Sequence, residues 1–165
     1  AVKKPEPLLS GLTGVPDTSF TVYSDYNKNR KKYPFIKPAT VPATKQVTQR
    51  NNLVYCESGN RKLLLDAFFP SSPSGKQRPA VMIIHGGGWR SGDRTHHHAL
   101  AQRLAALGYV CFTPESRLST EALYPAAVHD LKAALHWMHA QSKTYNIDTS
   151  KIAVAGFSAG GEAAT

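Results

Sequence analysis

The sequence lacks several features that would place it in a particular class of protein. No apolar run approaches the roughly 20 residues that a membrane-spanning helix requires, so we expect no membrane protein. Cysteine is scarce: Cys56 and Cys111 are the only two, and they fit either a disulfide or two buried free thiols. Acidic residues are also few, with 11 Asp and Glu against 20 Lys and Arg. Apolar residues make up 41% and charged residues 19% of the chain, which predicts a soluble globular protein.

The excess of positive charge is concentrated in the N-terminal third. Residues 1–62 hold 11 Lys or Arg against 4 Asp or Glu, and the densest stretch is YNKNRKKYPFIKP at residues 26–38. Basic residues interleaved with tyrosines can hold phosphates and stack bases. No nucleic-acid fold motif accompanies them, so we predict no nucleic-acid partner. Residues 1–50 are rich in proline without sustained periodicity, and we interpret them as an irregular basic arm.

The pattern of residues 51–165 predicts an α/β domain. The runs NLVYCES and RKLLLDAFFP, on either side of Gly59-Asn60, predict an antiparallel hairpin. AVMIIHGGGW, YVCFTP and KIAVAGF are typical of buried strands, and an amphipathic helix is predicted between each pair. The helical stripes are Leu100, Leu104 and Leu107 in the first helix and Val128, Leu131, Leu135 and Met138 in the second. We therefore predict a mostly parallel sheet with helices on both faces.

The segment Gly156-Phe157-Ser158-Ala159-Gly160 fits the G-x-S-x-G pattern of a nucleophile elbow. An apolar strand pattern precedes it and a helix-forming run follows, so Ser158 is predicted on a sharp strand-to-helix turn with a strained backbone. Gly156 and Gly160 let neighbouring chain pass closely. The free amides and positive dipole end of the helix favour negative charge at the serine. Ser158 is therefore the candidate nucleophile.

A glycine-rich loop, His85-Gly86-Gly87-Gly88-Trp89, directly follows a predicted buried strand. Its amides are not covered by side chains and can converge on a developing negative oxygen. Glycine-rich loops also bind phosphates, but this one lacks the Lys-Ser/Thr ending of a P-loop and the spacing of a dinucleotide loop. Its position one strand–helix–strand unit before Ser158 favours an oxyanion loop, and we expect no cofactor.

On these motifs the chain resembles the N-terminal half of an α/β-hydrolase. More narrowly, it is similar to carboxylesterases with an HGGGW oxyanion loop and a GFSAGG elbow, which include bacterial acetyl and feruloyl esterases acting on plant polysaccharides. LLLDAFFP, GYVCFTPESRL and YPAAVHDLKAALHWM match that family in order and spacing, so the resemblance covers about residues 52–165. The chain departs at residues 115–117, Glu-Ser-Arg, where relatives commonly have Asp-Tyr-Arg, and at Glu162, where many have His or another residue.

The resemblance implies a role for each matching position. Ser158 is implied as the nucleophile, and the amides of Gly87, Gly88 and Ala159 as the oxyanion hole. His85 is implied to fix the loop by hydrogen bonds, and Asp130 to be structural rather than catalytic. Trp89, which follows the open glycine loop, is expected to bind substrate. No metal ligand is expected.

The base that such a serine needs is not apparent among the histidines of the chain. The run His96–His98 suggests a metal site, but it lies at the start of an amphipathic helix without a nearby partner set, which favours a solvated helix start. His129, His136 and His139 are expected on the polar side of their helix. In this fold the triad order is Ser, Asp or Glu, then His, so we expect both partners after Thr165.

The expected reaction is hydrolysis of an ester through an acyl-enzyme, with an acetyl or feruloyl ester of a plant polysaccharide or oligosaccharide as substrate. We expect this half of the domain to supply the nucleophile and oxyanion hole. The C-terminal half is expected either on a second polypeptide, cut or encoded separately, or on a continuation of the same chain. A secreted or periplasmic location is expected. The alternatives are a serine peptidase or lipase of the same fold, and a non-catalytic fragment or degenerate homologue with a binding role. Peptidases usually keep an aromatic residue where this chain has Ala159.

Overall fold

The computed structural model describes residues 46–165, in which three strands come first and strands then alternate with helices. In chain order the elements are β1 (Val47–Ser58), β2 (Arg61–Pro70), β3 (Arg78–Ile84), α1 (His98–Ala106), β4 (Val110–Pro114), α2 (Ala126–Ala140), α3 (Ser142–Tyr145), β5 (Ile147–Gly156) and α4 (Ala159–Ala163). The predicted basic stretch at residues 26–38 lies outside the described residues. The first strand begins at Val47, ahead of the predicted domain start at residue 51. Within the described region, no helix combines the length and apolarity needed to cross a membrane.

The strands form a five-stranded sheet in the order β1-β2-β4-β3-β5. The predicted hairpin is confirmed: β1 pairs antiparallel with β2 around Gly59, whose φ of 59° lies in the left-handed region. Strand β2 pairs antiparallel with β4, whereas β3 runs parallel to both β4 and β5. The sheet of the described residues is therefore mixed, and its parallel part carries the two loops of the candidate site.

Alternating side chains of the strands divide between two apolar cores, one on each face of the sheet. One core joins α2 to the sheet through buried side chains that include Leu65, Met82, Phe112, Leu131, Ala134 and Met138. The other joins α1 to the opposite face through Phe68, Val81, Ile83, Ala101, Ala105 and Cys111. Residues one apart on a strand point to opposite faces, which explains why Val81 and Met82 belong to different cores. The prediction of helices on both faces is confirmed.

Two details of burial differ from the sequence prediction. In α1 the fully buried residues are Ala101 and Ala105, whereas Leu107 at the end of the leucine stripe is 71% exposed. Small side chains let the helix backbone approach the sheet, so the alanines and not the leucines face it most closely. Strand β5 was predicted to be buried, but only Ile147 is, because β5 pairs with β3 on one side and lies at an edge of the described sheet.

Both cysteines are free thiols. Cys56 is half-buried on β1 and Cys111 is buried on β4, with β2 between their strands. Burial raises the pKa of Cys111 to about 12, so this side chain stays a neutral thiol near pH 7. Of the two alternatives left open by the sequence, the structure therefore has free cysteines.

Candidate active site

Ser158 lies at the junction between β5 and α4, where the chain turns sharply. Its φ of 53° and ψ of −123° place a non-glycine residue in a region that side chains disfavour. The residue is exposed, and the amides of Gly161 and Glu162 donate to its carbonyl oxygen at 2.7 and 3.3 Å. The strained strand-to-helix turn expected of a nucleophile elbow is thus present at the predicted serine.

Gly160 in the elbow and Gly86 in the loop that follows β3 permit these two segments to pack closely against each other. A Cβ atom on Gly160 would lie 2.5 Å from the carbonyl oxygen of His85 and 2.7 Å from that of Ile84. A Cβ atom on Gly86 would lie 2.7 Å from the carbonyl oxygen of Phe157 and 3.2 Å from the Cβ of Ser158. These approaches are shorter than ordinary van der Waals contact, so only glycine fits. The two predicted motifs therefore interlock at Ser158.

The glycine-rich loop is held open by a turn that uses positive φ angles. Gly87, Gly88 and Trp89 have φ values of 133°, 60° and 63° in succession. The carbonyl oxygen of Gly87 accepts from the amide of Ser91 at 3.1 Å and from its hydroxyl at 3.0 Å. Within the described residues, the amides predicted for the oxyanion hole donate to no other group; they belong to Gly87, Gly88 and Ala159. Uncommitted donors of this kind are what an oxyanion requires.

His85 supports the glycine-rich loop by a hydrogen bond to the loop backbone. Its Nδ1 lies 2.8 Å from the carbonyl oxygen of Gly86, so the Nδ1–H tautomer donates to the loop backbone. A Cβ atom on Gly92 would lie 2.5 Å from the same Nδ1 atom, so the chain past the loop folds back against the imidazole. The position of His85 fits the structural role that the resemblance implies for it.

Trp89 links the glycine loop to the helix that follows the nucleophile. Its Nε1–H donates to a carboxylate oxygen of Glu162 at 3.2 Å, and its carbonyl oxygen accepts from the amide of Ser119 at 2.8 Å. Trp89 also lines a cavity of about 800 Å³, whose walls include Met82, Val128, Leu131, Leu135, Val154, Glu162 and Ala163. The cavity is mostly apolar, with a few polar groups at its edge, as small-molecule sites are. The contact with Glu162 was not foreseen from the sequence.

Asp130 on α2 is buried at 2% exposure and forms an ion pair with Arg117. The guanidinium donates to it at 2.7 and 2.9 Å, and the amide of Arg117 donates at 2.9 Å. These hydrogen bonds raise the pKa of Arg117. Both carboxylate oxygens are committed to the segment that follows β4, so the contacts of Asp130 agree with a structural role.

The histidine run contradicts one sequence prediction, because His97 and His98 are not simply solvated. The ring of His97 stacks on that of Phe157, next to Ser158, with centroids 4.0 Å apart. His98 Nε2 lies 2.9 Å from the buried carboxylate of Asp66. Their partners come from β2 and from the elbow, far away in the sequence, which is why local periodicity could not find them.

The remaining titratable groups bring no general base to the nucleophile. All seven histidines of the chain lie within the described residues, and none of them is hydrogen-bonded to Ser158 there. His129, His136 and His139 are exposed on α2, as predicted. Burial, followed by the charges of neighbouring His96 and His85, lowers the pKa of His97. No group of three or more His, Cys, Asp or Glu residues within 46–165 is arranged to hold a metal ion.

Comparison with known proteins gives a consistent family. Residues 65–165, more than half of the chain, match the profile of a protein family described as BD-FAE. Esterase LipI from Mycobacterium tuberculosis is 37% identical over 93 residues, and Carboxylesterase NlhH from the same species is 41% identical over 85 residues. These matches cover 56% and 50% of this chain but only 29% and 26% of the relatives. The chain thus spans less than a third of the length of these curated relatives.

Solved structures agree with the sequence relatives. An esterase from Thermogutta terrifontis is similar with a TM-score of 0.64 and 26% identity, over 73% of this chain and 43% of that one. Esterase B from Lactobacillus rhamnosis is similar with a TM-score of 0.67 and 25% identity, over 85% of this chain and 44% of that one. The described residues therefore have the α/β-hydrolase fold and correspond to less than half of these structures.

Proposed function

Because this chain belongs to the BD-FAE family of α/β-hydrolase esterases, we propose that it forms part of a serine carboxylesterase. The observation that carries the proposal is the strained elbow: Ser158, with φ of 53°, is packed by glycines against a loop with uncommitted amides. Ser158 gives its proton to a histidine general base and attacks the ester carbonyl, and the amides of Gly87, Gly88 and Ala159 receive the oxyanion. Collapse of this intermediate breaks the ester bond and expels the alcohol, which takes up the proton, and leaves the acyl-enzyme. Water then attacks the acyl-enzyme, releases the carboxylic acid and restores the serine hydroxyl.

We propose that the triad acid and histidine come from outside these 165 residues, supplied by a segment or second polypeptide that completes the domain. Two observations support this: no histidine of the chain is hydrogen-bonded to Ser158, and the matched part of the chain covers only 29% of a curated relative and 43% of a solved structure. The groove between α2 and β5, lined by Val128, Leu135 and Val154, is the surface on which we place that remainder. We call this chain together with its remainder the complete domain.

The experiment that tests the proposal is labelling of the complete domain with a serine-directed fluorophosphonate. We expect one adduct at Ser158, located by peptide mass spectrometry, and hydrolysis of p-nitrophenyl acetate. Ser158→Ala should abolish both signals. Ser150→Ala, which changes an exposed serine on the same strand, should leave both unchanged. A complete domain that hydrolyses esters but labels at another serine would rule out Ser158 as nucleophile, and one that does neither would favour the non-catalytic alternative.

For the substrate we propose an acetyl or feruloyl ester of a plant polysaccharide, with secretion or a periplasmic location to match a polymeric substrate. The motif resemblance supports this choice. Hydrolysis rates of the complete domain separate the candidate substrate classes. They are measured with methyl ferulate, acetylated xylan, tributyrin and a peptide anilide. Preference for tributyrin would indicate a lipase, and cleavage of the anilide alone would indicate the peptidase alternative. Cell fractionation tests the location.

A further inference from the structure

A network of charged side chains lies beside the candidate site and takes no part in the proposed chemistry. Asp66 on β2 is 2% exposed, and Glu115 at the end of β4 is 12% exposed at its side chain. Arg94, in the loop between Trp89 and α1, lies between these two carboxylates. We call these three residues the Arg94 clamp. Buried charges persist only when they are paired, so the clamp needs all three members.

All three nitrogens of the Arg94 guanidinium donate hydrogen bonds. Its Nε donates to both carboxylate oxygens of Asp66 at 3.1 Å, and one terminal nitrogen donates to Glu115 at 2.8 Å. The other terminal nitrogen donates to the side chain of Asn52 on β1. Asp66 also accepts from the amide of Asn52 at 2.8 Å, and His98 lies within bonding distance of it. The loop after Trp89 is thus tied to three strands through one side chain.

The loop that Arg94 holds is continuous with the oxyanion loop. Gly92, two residues before Arg94, is so close to the carbonyl of Gly86 and the ring of His85 that a side chain would overlap both. One residue earlier, Ser91 closes the turn onto the carbonyl oxygen of Gly87. Gly92 and Ser91 therefore connect Arg94 by successive contacts to the glycines whose amides are the candidate oxyanion donors.

We propose that Arg94 is a positioning residue for the oxyanion hole, acting through the clamp to hold the amides of Gly87 and Gly88 in place. This inference rests on the proposed esterase function. The side chain of Arg94 bonds Asp66, Glu115 and Asn52 and not Ser158, so the effect that we propose for it is on transition-state stabilisation. Loss of a single oxyanion donor lowers kcat by about 100- to 1,000-fold in other enzymes, and misplacement by about 1 Å costs about 100-fold. Because loss of Arg94 would displace the oxyanion donors without removing them, we expect kcat to decrease by about 10- to 100-fold.

The test compares three variants of the complete domain. Arg94→Gln removes the charge and the fork of donors. Arg94→Lys keeps the charge but lacks the planar fork that reaches Asp66, Glu115 and Asn52 together. Arg61→Gln is the matched control, because Arg61 bonds Glu115 from the opposite side, at 2.9 Å, without touching the loop after Trp89. Rates are divided by the fraction of active serines, measured by phosphonate titration, so that partial unfolding does not count as lost catalysis.

For Arg94→Gln we expect kcat per active serine to fall about 10- to 100-fold with KM within about twofold, because the oxyanion forms only in the transition state. Arg94→Lys should lose about three- to tenfold, since it keeps part of the clamp. Arg61→Gln should lose less than threefold. Binding of a boronic acid, which forms a tetrahedral adduct on the serine, should weaken in parallel with kcat.

Equal kcat per active serine in Arg94→Gln and Arg61→Gln would overturn the inference and leave the esterase function standing. If Arg94→Gln does not fold, Arg94→Lys decides in the same way: unchanged kcat overturns the positioning role. A lower fraction of active serines with unchanged kcat per active serine would show that the clamp is purely structural. That result would also overturn the inference. Failure of the proposed function is distinguishable, since the unmodified protein would then neither react with the phosphonate nor hydrolyse any ester.

Discussion

A Cβ atom on Gly156 would overlap the carbonyl group of Gly160, four residues further along the chain. The last residue of β5 and the first turn of α4 thus cross at a distance that only glycine permits. We expect Gly156→Ala to shift the elbow backbone and to lower the free energy of unfolding of the complete domain by about 1–3 kcal/mol, the usual cost of overpacking. The shift also moves Ser158, so the rate of phosphonate labelling should fall. Urea unfolding and labelling kinetics measure the two effects.

Gly161→Ala is the matched control for that variant. A Cβ atom on Gly161 would meet its nearest neighbour, the carbonyl oxygen of Gly156, at 3.5 Å, which is ordinary contact. Alanine is also favoured over glycine within a helix, so Gly161→Ala should leave the free energy of unfolding unchanged or slightly raise it. Equal urea midpoints for the two variants would contradict the steric account of the elbow.

A second prediction concerns the backbone strain at Ser158. Its φ of 53° is disfavoured for any residue with a Cβ atom but not for glycine. Relief of about 1–3 kcal/mol of strain is partly offset by the 0.5–1 kcal/mol that glycine loses in backbone entropy. Ser158→Gly should therefore be more stable than Ser158→Ala by about 1 kcal/mol, although both lack the nucleophile. Urea unfolding of the two inactive variants tests this, and a more stable alanine variant would show that the elbow is not strained.

The elbow and the glycine loop were predictable because their chemistry is local in sequence. Gly156, Ser158 and Gly160 lie within five residues, and the turn they form depends on small side chains at fixed spacing. The order of strands and helices followed from periodicity in the same way, since β3 and β4 are continuous apolar runs. Features of the fold that depend on local spacing of residues were therefore predictable.

The contacts that could not be predicted from the sequence join residues that are far apart in the chain. Arg94 meets Asp66 and Glu115 across 28 and 21 residues, and Trp89 meets Glu162 across 73. No periodicity marks such pairs, because they depend on which strands become neighbours. The exposure of β5 was missed for a related reason: its apolar composition is that of a central strand, whereas its burial depends on the partners available to it.

A third prediction tests whether Asp130 contributes to the stability of the fold or to catalysis. Asp130→Asn keeps the shape of the side chain but leaves the charge of Arg117 without its partner. Breaking a buried pair in this way costs about 3 kcal/mol, so the urea midpoint should fall clearly. Phosphonate labelling per folded molecule should be unchanged, because Asp130 bonds only the segment after β4. Glu57→Gln, which breaks an exposed pair of 3.6 Å with Lys62, should change neither measurement. Loss of labelling in folded Asp130→Asn would assign Asp130 to the catalytic machinery.

The last prediction concerns the pH dependence of stability and His97. Burial against Phe157, with the charges of His96 and His85, holds the pKa of His97 below its ordinary value of 6.5. The unfolded state therefore binds a proton more readily than the folded state, and stability falls as the pH drops below about 6.5. Above that value both states carry neutral His97, so the side chain contributes no pH dependence. The window of the effect runs from about pH 6.5 down to the lowered pKa.

His97→Gln removes this titrating group, so the loss of stability between pH 7 and pH 5 should be smaller in the variant than in the unmodified protein. Urea unfolding of the complete domain at pH 5, 6, 7 and 8 measures the slope, which is independent of the constant cost of losing the stack on Phe157. His136→Gln removes an exposed histidine of α2 and serves as the control, with a slope that should match the unmodified protein. Identical slopes in His97→Gln and the unmodified protein would mean that protonated His97 is accommodated beside the elbow. The imidazole next to the nucleophile would then carry no pH-dependent cost to folding.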